Sequence, residues 1–428
     1  MDASIINFDE RMDTAKESPL FYKVFGLVGA GLILDSADVY MASNINSALV
    51  AHHFATLTQG SLFLSAGFFG LFAGSMIAGY FGDHFGRRKA FQWNLLVFGL
   101  ATLISTMAPN IGTLIVLRFI AATGLGAETV TGFSMISEFA PVLKRGKWSG
   151  LISVIANFGA PLGFLLSTLL ITHYSWRAMF FVIGIFALAL WIGRRHLPES
   201  PRWLKVQDRH EEAEEILGQL ETNGHYDAQK IENNSAKKIS PNRGILIATV
   251  AVSAALLCQY MFTSWVPTLL VKQGINIVHS MWFSTIMMAG APLGAMIGML
   301  LVDRIGRKFT IVPGFILTAI AGIAYSMERT ATGILINGFI LTAIMYVLIA
   351  SILSVYASEL FSTEFRFRGT GFANGVAKLL TALSPYLVVK IVTIYGPTLL
   401  FIMITAIALF AAIIIGFFGP ETKKQSIG

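Results

Sequence analysis

One cysteine, Cys258, stands in 428 residues, which excludes an intrachain disulfide and any multi-cysteine metal site. Charge is almost as scarce. Asp, Glu, Lys and Arg make up 13% of the chain, against about 25% in a soluble domain. Catalytic signatures are missing too. No two histidines share an apolar segment at ligand spacing. Gly146-Lys147 is no phosphate loop, because the glycine required five residues before Gly146 is Pro141. Neither an enzyme nor a cofactor or metal is expected, and with no nucleotide site any work must draw on a gradient. Met1–Lys16 is polar, of mixed charge, and lacks the apolar stretch of a cleavable signal peptide. The first apolar segment is the expected targeting element.

Apolar residues make up 55% of the chain, in long blocks such as Leu95–Met107, Phe180–Ile192 and Leu399–Phe418 rather than in amphipathic stripes. A helix needs about 20 such residues to cross a hydrocarbon core roughly 30 Å thick. The blocks predict twelve spans, near 22–49, 61–81, 90–108, 111–138, 148–171, 178–195, 244–270, 281–301, 309–327, 333–358, 370–392 and 396–418. Of the 31 Lys and Arg, 25 fall before the first span, in alternate connections or after the last. Basic residues gather on the cytoplasmic side of a membrane protein. Both termini and residues 196–243 are therefore expected in the cytoplasm, in the inner membrane if the source is bacterial. The net charge of +7 is spread over every basic turn and not gathered in one patch, which argues against nucleic-acid binding. Lipid is the expected surrounding partner, and the chain is expected to be a monomer.

The chain repeats itself at an offset of 220. Gly70, Gly74, Ala78 and Gly82 recur as Gly290, Gly294, Gly298 and Val302, a small-residue spacing that lets helices approach closely in lipid. Asp83, Gly86, Arg87 and Arg88 recur as Asp303, Gly306, Arg307 and Lys308. Glu138 and Arg145 recur as Glu359 and Arg366 at an offset of 221. Spans 5 and 11 each carry a polar residue and then a proline, Asn157/Pro161 and Lys378/Pro385. Six spans is an even number, so the halves have the same orientation, a parallel repeat about an axis along the membrane normal. The expected architecture is all-α: twelve transmembrane helices in two pseudo-symmetric six-helix bundles. Residues 1–21 precede the first half (22–195), residues 196–243 link it to the second half (244–418), and 419–428 form a tail. Within the link, Asp208–Leu220 has the pattern of a short amphipathic helix.

Ionisable groups inside spans cost about 2.5–3.5 kcal/mol each on insertion scales and usually line an aqueous cavity. Here they are Asp35, Asp38, Arg118, Glu128 and Lys378. Asp35 and Asp38, three residues apart, share a helix face and cannot both ionise cheaply, so one is expected to hold a proton near neutral pH. Arg118 lies at a similar depth on span 4, where a guanidinium, always charged, would switch the acid as the helices move. Glu128 lies deeper toward the cytoplasm, and a structural pair with a basic loop residue suits it as well as a transport role. Lys378, near the midplane of span 11, is a candidate for holding an anionic group. Asn157, Gln259, Tyr260 and Tyr346 fall at mid-membrane depth, where they suit either substrate contact or helix association.

Several of these segments resemble the major facilitator superfamily over essentially the whole chain. GDHFGRRK (Gly82–Lys89) and DRIGRK (Asp303–Lys308) resemble its loop signatures, and LRFIAATGLGAE (Leu117–Glu128) its helix-4 motif. PESPRWL (Pro198–Leu204), PETK (Pro420–Lys423), EFAPVLKRG (Glu138–Gly146) and ELFSTEFRFRGTG (Glu359–Gly371) are similar to the sugar-porter and metabolite–proton symporter branch. Leu34-Asp35-Ser36-Ala37-Asp38 is similar to the helix-1 element of aromatic- and organic-acid symporters, with Ser36 where glycine is usual. Span 7 lacks the Gln-Gln pair of sugar porters. The resemblance implies alternating access, proton coupling through Asp38 and Arg118, and conformational latches at Asp83, Arg87, Arg88, Glu138, Arg145, Asp303, Arg307, Lys308, Glu359 and Arg366. Two extra residues leave open whether Arg366 or Arg368 fills the family's arginine position.

The function these features imply is proton-coupled symport of a small polar metabolite, an organic anion. Three alternatives stand beside it: a sugar–proton symporter, a drug or metabolite antiporter, and a non-transporting receptor on the same scaffold. Two buried carboxylates beside an arginine speak against the receptor, which has no need to cycle protons.

Overall fold

The structure is a computed structural model that describes residues 8–226, 240–361 and 363–422, without the side chains of residues 83, 143, 241, 354 and 363–367. The chain begins with α1 (Phe8–Thr14), α2 (Pro19–Ala51), α3 (Leu57–Phe85), α4 (Arg87–Ser105), α5 (Ile111–Phe139), α6 (Arg145–Asn157), α7 (Gly159–His173) and α8 (Trp176–Gly193). Two short helices follow, α9 (Pro201–Val206) and α10 (His210–Leu220). The second half comprises α11 (Pro241–Thr263), α12 (Val266–Lys272), α13 (Ile277–Met288), α14 (Gly290–Arg304), α15 (Arg307–Met327), α16 (Ala331–Ser351), α17 (Ala357–Glu359), α18 (Thr363–Tyr395) and α19 (Thr398–Phe418).

Among the described residues, 11 helical segments are long and apolar enough to cross a membrane. The twelfth expected span is α4, whose 19 residues open on Arg87, Arg88 and Lys89 and pack against α5 and α8. The first span is longer than its apolar block. Ser18 caps it, accepting from Phe21 N, and Pro19 sits where its missing N–H costs nothing. Polar caps also start α3 (Thr56 with Gln59), α5 (Asn110), α8 (Ser175) and α16 (Thr330), satisfying backbone donors that a membrane end would otherwise leave open.

Three spans are broken by proline. The breaks at Phe158 and Ala289 each lie three residues before a proline, Pro161 or Pro292. Proline has no N–H for the carbonyl four residues back, and the helix steps aside there. Both breaks fall immediately before the same pentapeptide, Gly-Ala-Pro-Leu-Gly. The seventh span breaks at Trp265, ahead of Pro267. Pro385 sits inside α18 without ending it. The tenth span ends in a π-helical turn, Ile352–Tyr356.

The glycines of the repeat press helix backbones together. A Cβ on Gly74 would stand 1.9 Å from the Thr123 carbonyl oxygen of α5. One on Gly294 would stand 2.1 Å from the Ala343 oxygen of α16. So α3 seats on α5 and α14 on α16, in matching places of the two halves. Between halves, α3 packs on α18, α7 on α13 and α2 on α12. At the end opposite the termini the halves are hydrogen-bonded. Ser43 Oγ lies 2.8 Å from the Thr263 carbonyl oxygen and 2.9 Å from that of Ser264, and the Thr168 and Thr285 hydroxyls are 2.9 Å apart.

Candidate functional site: two buried ionic clusters on one helix

Helix α2 carries the centre of the site because it packs along most of its length inside the first half, against α5, α6, α7 and α8. Gly159 and Gly163 let α7 lie on the backbone of α2 beside Ile33 and Ala37. This close seam buries Asp35 to 5% and Asp38 to 0% exposure. Unpaired, such carboxylates cost several kcal/mol.

Asp38 is paired. Arg118 on α5 places Nη1 2.5 Å from Asp38 Oδ2 and donates from Nη2 to the Asp38 carbonyl at 3.3 Å. Gly67 of α3 leaves room for the guanidinium: a Cβ there would lie 3.1 Å from Arg118 Nε. Phe63 flanks it, 5.7 Å from ring centroid to guanidinium carbon. The pair expected from depth along the sequence is thus formed.

Asp35 faces different partners. The Thr129 hydroxyl is 3.5 Å from Asp35 Oδ2 and is already committed to the Leu125 carbonyl at 2.9 Å. Next to Thr129 on α5, Glu128 accepts from Arg194 Nη1 at 2.6 Å, both side chains fully buried. Arg194 also donates to the Leu27 carbonyl from Nη2 (2.8 Å) and Nε (3.2 Å) and lies 4.0 Å over the Phe91 ring. Glu128 therefore has the basic partner that its depth suggested. That partner could not be identified from sequence, because it sits at the end of the sixth span.

Beyond Asp38, toward the closed end, lies a cluster of rings. Tyr40, one turn past Ala37 on α2, stacks on Tyr260 with centroids 6.0 Å apart. Phe68 meets Tyr260 edge-on at 4.7 Å. Gln259 is buried, donating to the Tyr40 hydroxyl and, at 3.3 Å, to that of Tyr346. Three of the sequence-derived contact residues, Gln259, Tyr260 and Tyr346, thus meet in one packed cluster around Tyr40. Asn157 stands at the α6–α7 break and donates back to Ser153 O at 2.9 Å. Lys378 reaches across the halves to Ser75 Oγ at 2.5 Å, about two turns from the rings toward the end that carries the termini.

Some of the expected latch residues pair within each half. Arg87 bonds Glu138 (3.1 Å), and Arg307 grips Glu359 through Nε (2.9 Å) and Nη2 (2.8 Å). Arg145 lies 3.5 Å from Asp13, and exposed Asp303 lies 3.2 Å from Arg307. Arg88 donates to the Arg195 carbonyl at 2.6 Å. The side chains of Asp83 and Arg366 lie outside those described, and Arg368 is exposed.

Two carboxylates that the sequence did not assign complete these clusters. Glu199, of the Pro-Glu-Ser-Pro-Arg segment, accepts from Arg88 N at 3.0 Å. Glu421, of Pro-Glu-Thr-Lys, accepts from Arg307 N (2.9 Å) and Lys308 N (3.0 Å). Each caps the helix that follows a positive-φ glycine, Gly86 (φ 91) or Gly306 (φ 120). A negative charge belongs at that end of a helix. Glu199 is half-buried, and that desolvation pushes its carboxyl above the ordinary value.

Three comparisons bear on this site. The sequence profile of the sugar (and other) transporter family matches residues 20–428. The chain is 31% identical to the inner membrane metabolite transport protein YdjE of Escherichia coli, over 97% of this chain and 96% of that protein. It is 27% identical to the niacin transporter NiaP of Acinetobacter baylyi, over 97% and 98%. Among solved structures, the xylose transporter XylE of Escherichia coli, in a partially occluded inward-open conformation, matches with a TM-score of 0.75 at 20% identity. That match covers 95% of this chain and 99% of that one.

Proposed function

Because this chain belongs to the sugar (and other) transporter family, a transporter in the membrane and not an enzyme, we propose that it is a proton-driven symporter of a small organic acid. It works by alternating access, with both termini in the cytoplasm, where basic residues collect. The observation that carries this is the Asp38–Arg118 pair, 2.5 Å apart, with side chains 0% and 4% exposed. An arginine stays charged, so parting α2 from α5 would leave Asp38 to take a proton, and closing them would expel it. Substrate access and protonation are then one motion. Asp35 takes part in the same proton relay, one turn nearer the cytoplasm.

The acid is one with a flat ring. Tyr40, Phe68, Tyr260 and Tyr346 offer aromatic faces beside the Gln259 amide, and ring pairs contribute about 0.5–1.5 kcal/mol beyond area burial. Lys378 supplies the cation for the carboxylate, exchanging Ser75 for it when substrate enters. Similarity to a niacin transporter fits this chemistry. The clusters around Glu138 and Glu359, the expected latch residues, lie within their own halves and hold each one rigid while the halves rock.

Nicotinate uptake into vesicles under an imposed proton gradient tests the proposal. Wild-type protein should concentrate nicotinate. Asp38→Asn should abolish concentration and leave exchange of labelled for unlabelled nicotinate largely intact. Lys378→Gln should weaken binding of nicotinate far more than of the neutral nicotinamide. Concentration of xylose and not of nicotinate would move the substrate class to sugars, and unaltered gradient-driven uptake in Asp38→Asn would end the coupling mechanism.

A further inference from the structure

Asp35 and Glu128 lie close enough to interact, and the cation at this spot, Arg194, is bonded to Glu128. A Cβ on Gly31, one turn before Asp35 on the same face of α2, would stand 2.4 Å from Glu128 Oε1 and 1.7 Å from Arg194 Nη2. The Glu128–Arg194 pair is thus pressed onto the α2 backbone just below Asp35. Thr129, the neighbour of Glu128, lies 3.5 Å from Asp35. The groups facing this spot are few. From α2 come Asp35 and Asp38, from α5 Arg118 and Glu128, and from the end of the sixth span Arg194. Asp38 and Arg118 neutralise each other. The described residues that pack here from the other helices, Ile152 and Ile155 of α6 at Gly29, Gly159 and Gly163 of α7, and Phe91 of α4, are not titratable.

The charges do not balance. Two carboxylates stand against one guanidinium, and Asp35 Oδ1 and Glu128 Oε2 are both buried without a hydrogen-bond partner. A buried ion left without a counter-charge costs several kcal/mol, and a proton on either carboxyl removes that cost.

We propose that Asp35 and Glu128 together hold one proton, with Arg194 as their fixed counter-charge, at a site separate from the Asp38–Arg118 pair. For its use in transport this rests on the proton-driven reading above; as a statement of where a proton resides it does not. At 1.5 Å per residue, Glu128 lies about 15 Å beyond Arg118 toward the cytoplasmic end, so the site is the station nearer the cytoplasm. When that end opens to water, the O–H bond breaks, its electron pair stays on the carboxylate, and the proton passes to solvent. Arg194 then holds the remaining charge. Glu128 and Arg194 act by setting this balance.

Infrared spectroscopy of the purified protein in detergent, without substrate, tests the assignment through the C=O stretch of protonated carboxyl groups at neutral pH. Wild type should show the band. Asp35→Asn should lose it, because Glu128 is then matched by Arg194, and Glu128→Gln should lose it for the converse reason. The double variant Asp38→Asn/Arg118→Gln, which removes both charges of the other pair, should keep it. A band unchanged in Asp35→Asn, or lost in the double variant, overturns the proposal. Should Glu128→Gln fail to fold with Arg194 stranded, those two variants decide alone. Nicotinate uptake tests the proton-driven reading separately. A protein that carries no proton yet shows this pattern of bands would sink that reading and leave the shared proton standing.

Discussion

Replacing Gly74 by alanine tests whether the repeated glycines are contact points or incidental. The added carbon would stand 1.9 Å from the Thr123 oxygen, 2.8 Å from the Thr123 carbonyl carbon and 2.9 Å from Ala127 N. All three are backbone atoms, so no side chain can turn away. Ordinary contact begins at 3.4 Å, and the helices must therefore separate by about 1.5 Å along this seam, beyond what a packed interior absorbs. Overpacking costs typically 1–3 kcal/mol, and a rigid neighbour puts Gly74→Ala at the upper end. About 2–3 kcal/mol is a loss of roughly 30- to 150-fold in the folding equilibrium. Gly294→Ala, at 2.1 Å from the Ala343 oxygen, should behave alike in the second half. Gly79 is the control: it lies on α3 with nothing within 4 Å of the built carbon. There alanine should gain up to about 1 kcal/mol of helix propensity. Cys258, the single cysteine and fully buried, allows a direct assay. A fluorogenic maleimide reports its exposure on thermal unfolding. The midpoint should fall for Gly74→Ala and Gly294→Ala and hold or rise for Gly79→Ala. Equal midpoints for Gly74→Ala and Gly79→Ala would refute the close-contact account.

Ser43→Ala removes a hydroxyl that joins the halves at the end opposite the termini; losing one such bond, about 0.5–1.5 kcal/mol, should raise the population open at that end roughly two- to tenfold, read as faster labelling of a cysteine placed in that cleft. Glu17 holds the N-terminal segment to Tyr226 and Trp148 and is brought down to about 2 chiefly by the Tyr226 hydrogen bond working against desolvation. Its folded value lies below its ordinary one, so its contribution is full above about pH 4.5 and fades as pH falls toward 2. The protection of the Lys16 amide against exchange, taken relative to the intrinsic rate at each pH, should fall over that range in wild type, its N–H being bonded to the Gly224 carbonyl. That protection should be already low and flat with pH in Glu17→Gln; a wild-type profile in that variant would contradict this.

What could be read from the sequence was what depends on one helix at a time. Span positions follow from composition, and the depth of Asp38 and Arg118 follows from counting along α2 and α5, so their pairing was visible in advance. Glu128 was placed at the right depth, but its partner depends on which helix packs beside α5, and the sequence does not fix that order. Glu199 and Glu421 were visible only as motif letters, because capping needs the end of one segment brought to the start of another. The same holds for Lys378, whose midplane position was legible and whose Ser75 partner in the other half was not. The break at Pro161 against the unbroken α18 at Pro385 has the same cause. Neighbouring helices decide whether a freed carbonyl is re-satisfied.

The distribution of interactions says which parts can move. Within each half, helices touch backbone to backbone at the glycine seams, and charged clusters fasten the basic end through Arg87–Glu138 and Arg307–Glu359. These contacts are lost only by overlap or by stranding a charge, so each half behaves as a body. The hydrogen bonds described between the halves are of another kind: Ser43 with two carbonyls, Thr168 with Thr285, Gln259 with Tyr40, Lys378 with Ser75. The first three are neutral bonds of about 0.5–1.5 kcal/mol whose groups can be hydrated or bound by substrate instead. Opening the seam therefore costs little beside deforming a half, and rocking of one half against the other is the low-energy motion. The ionic pairs of α2 lie inside a half and not on the seam. For rocking to change their protonation, α2 must shift against α5, and Tyr40 supplies the link: it is on α2, two residues from Asp38, and its hydroxyl is bonded to Gln259 of the opposite half. In the proposed symport, a ligand that replaces that bond would release α2, and substrate recognition would be coupled to proton binding through that one helix.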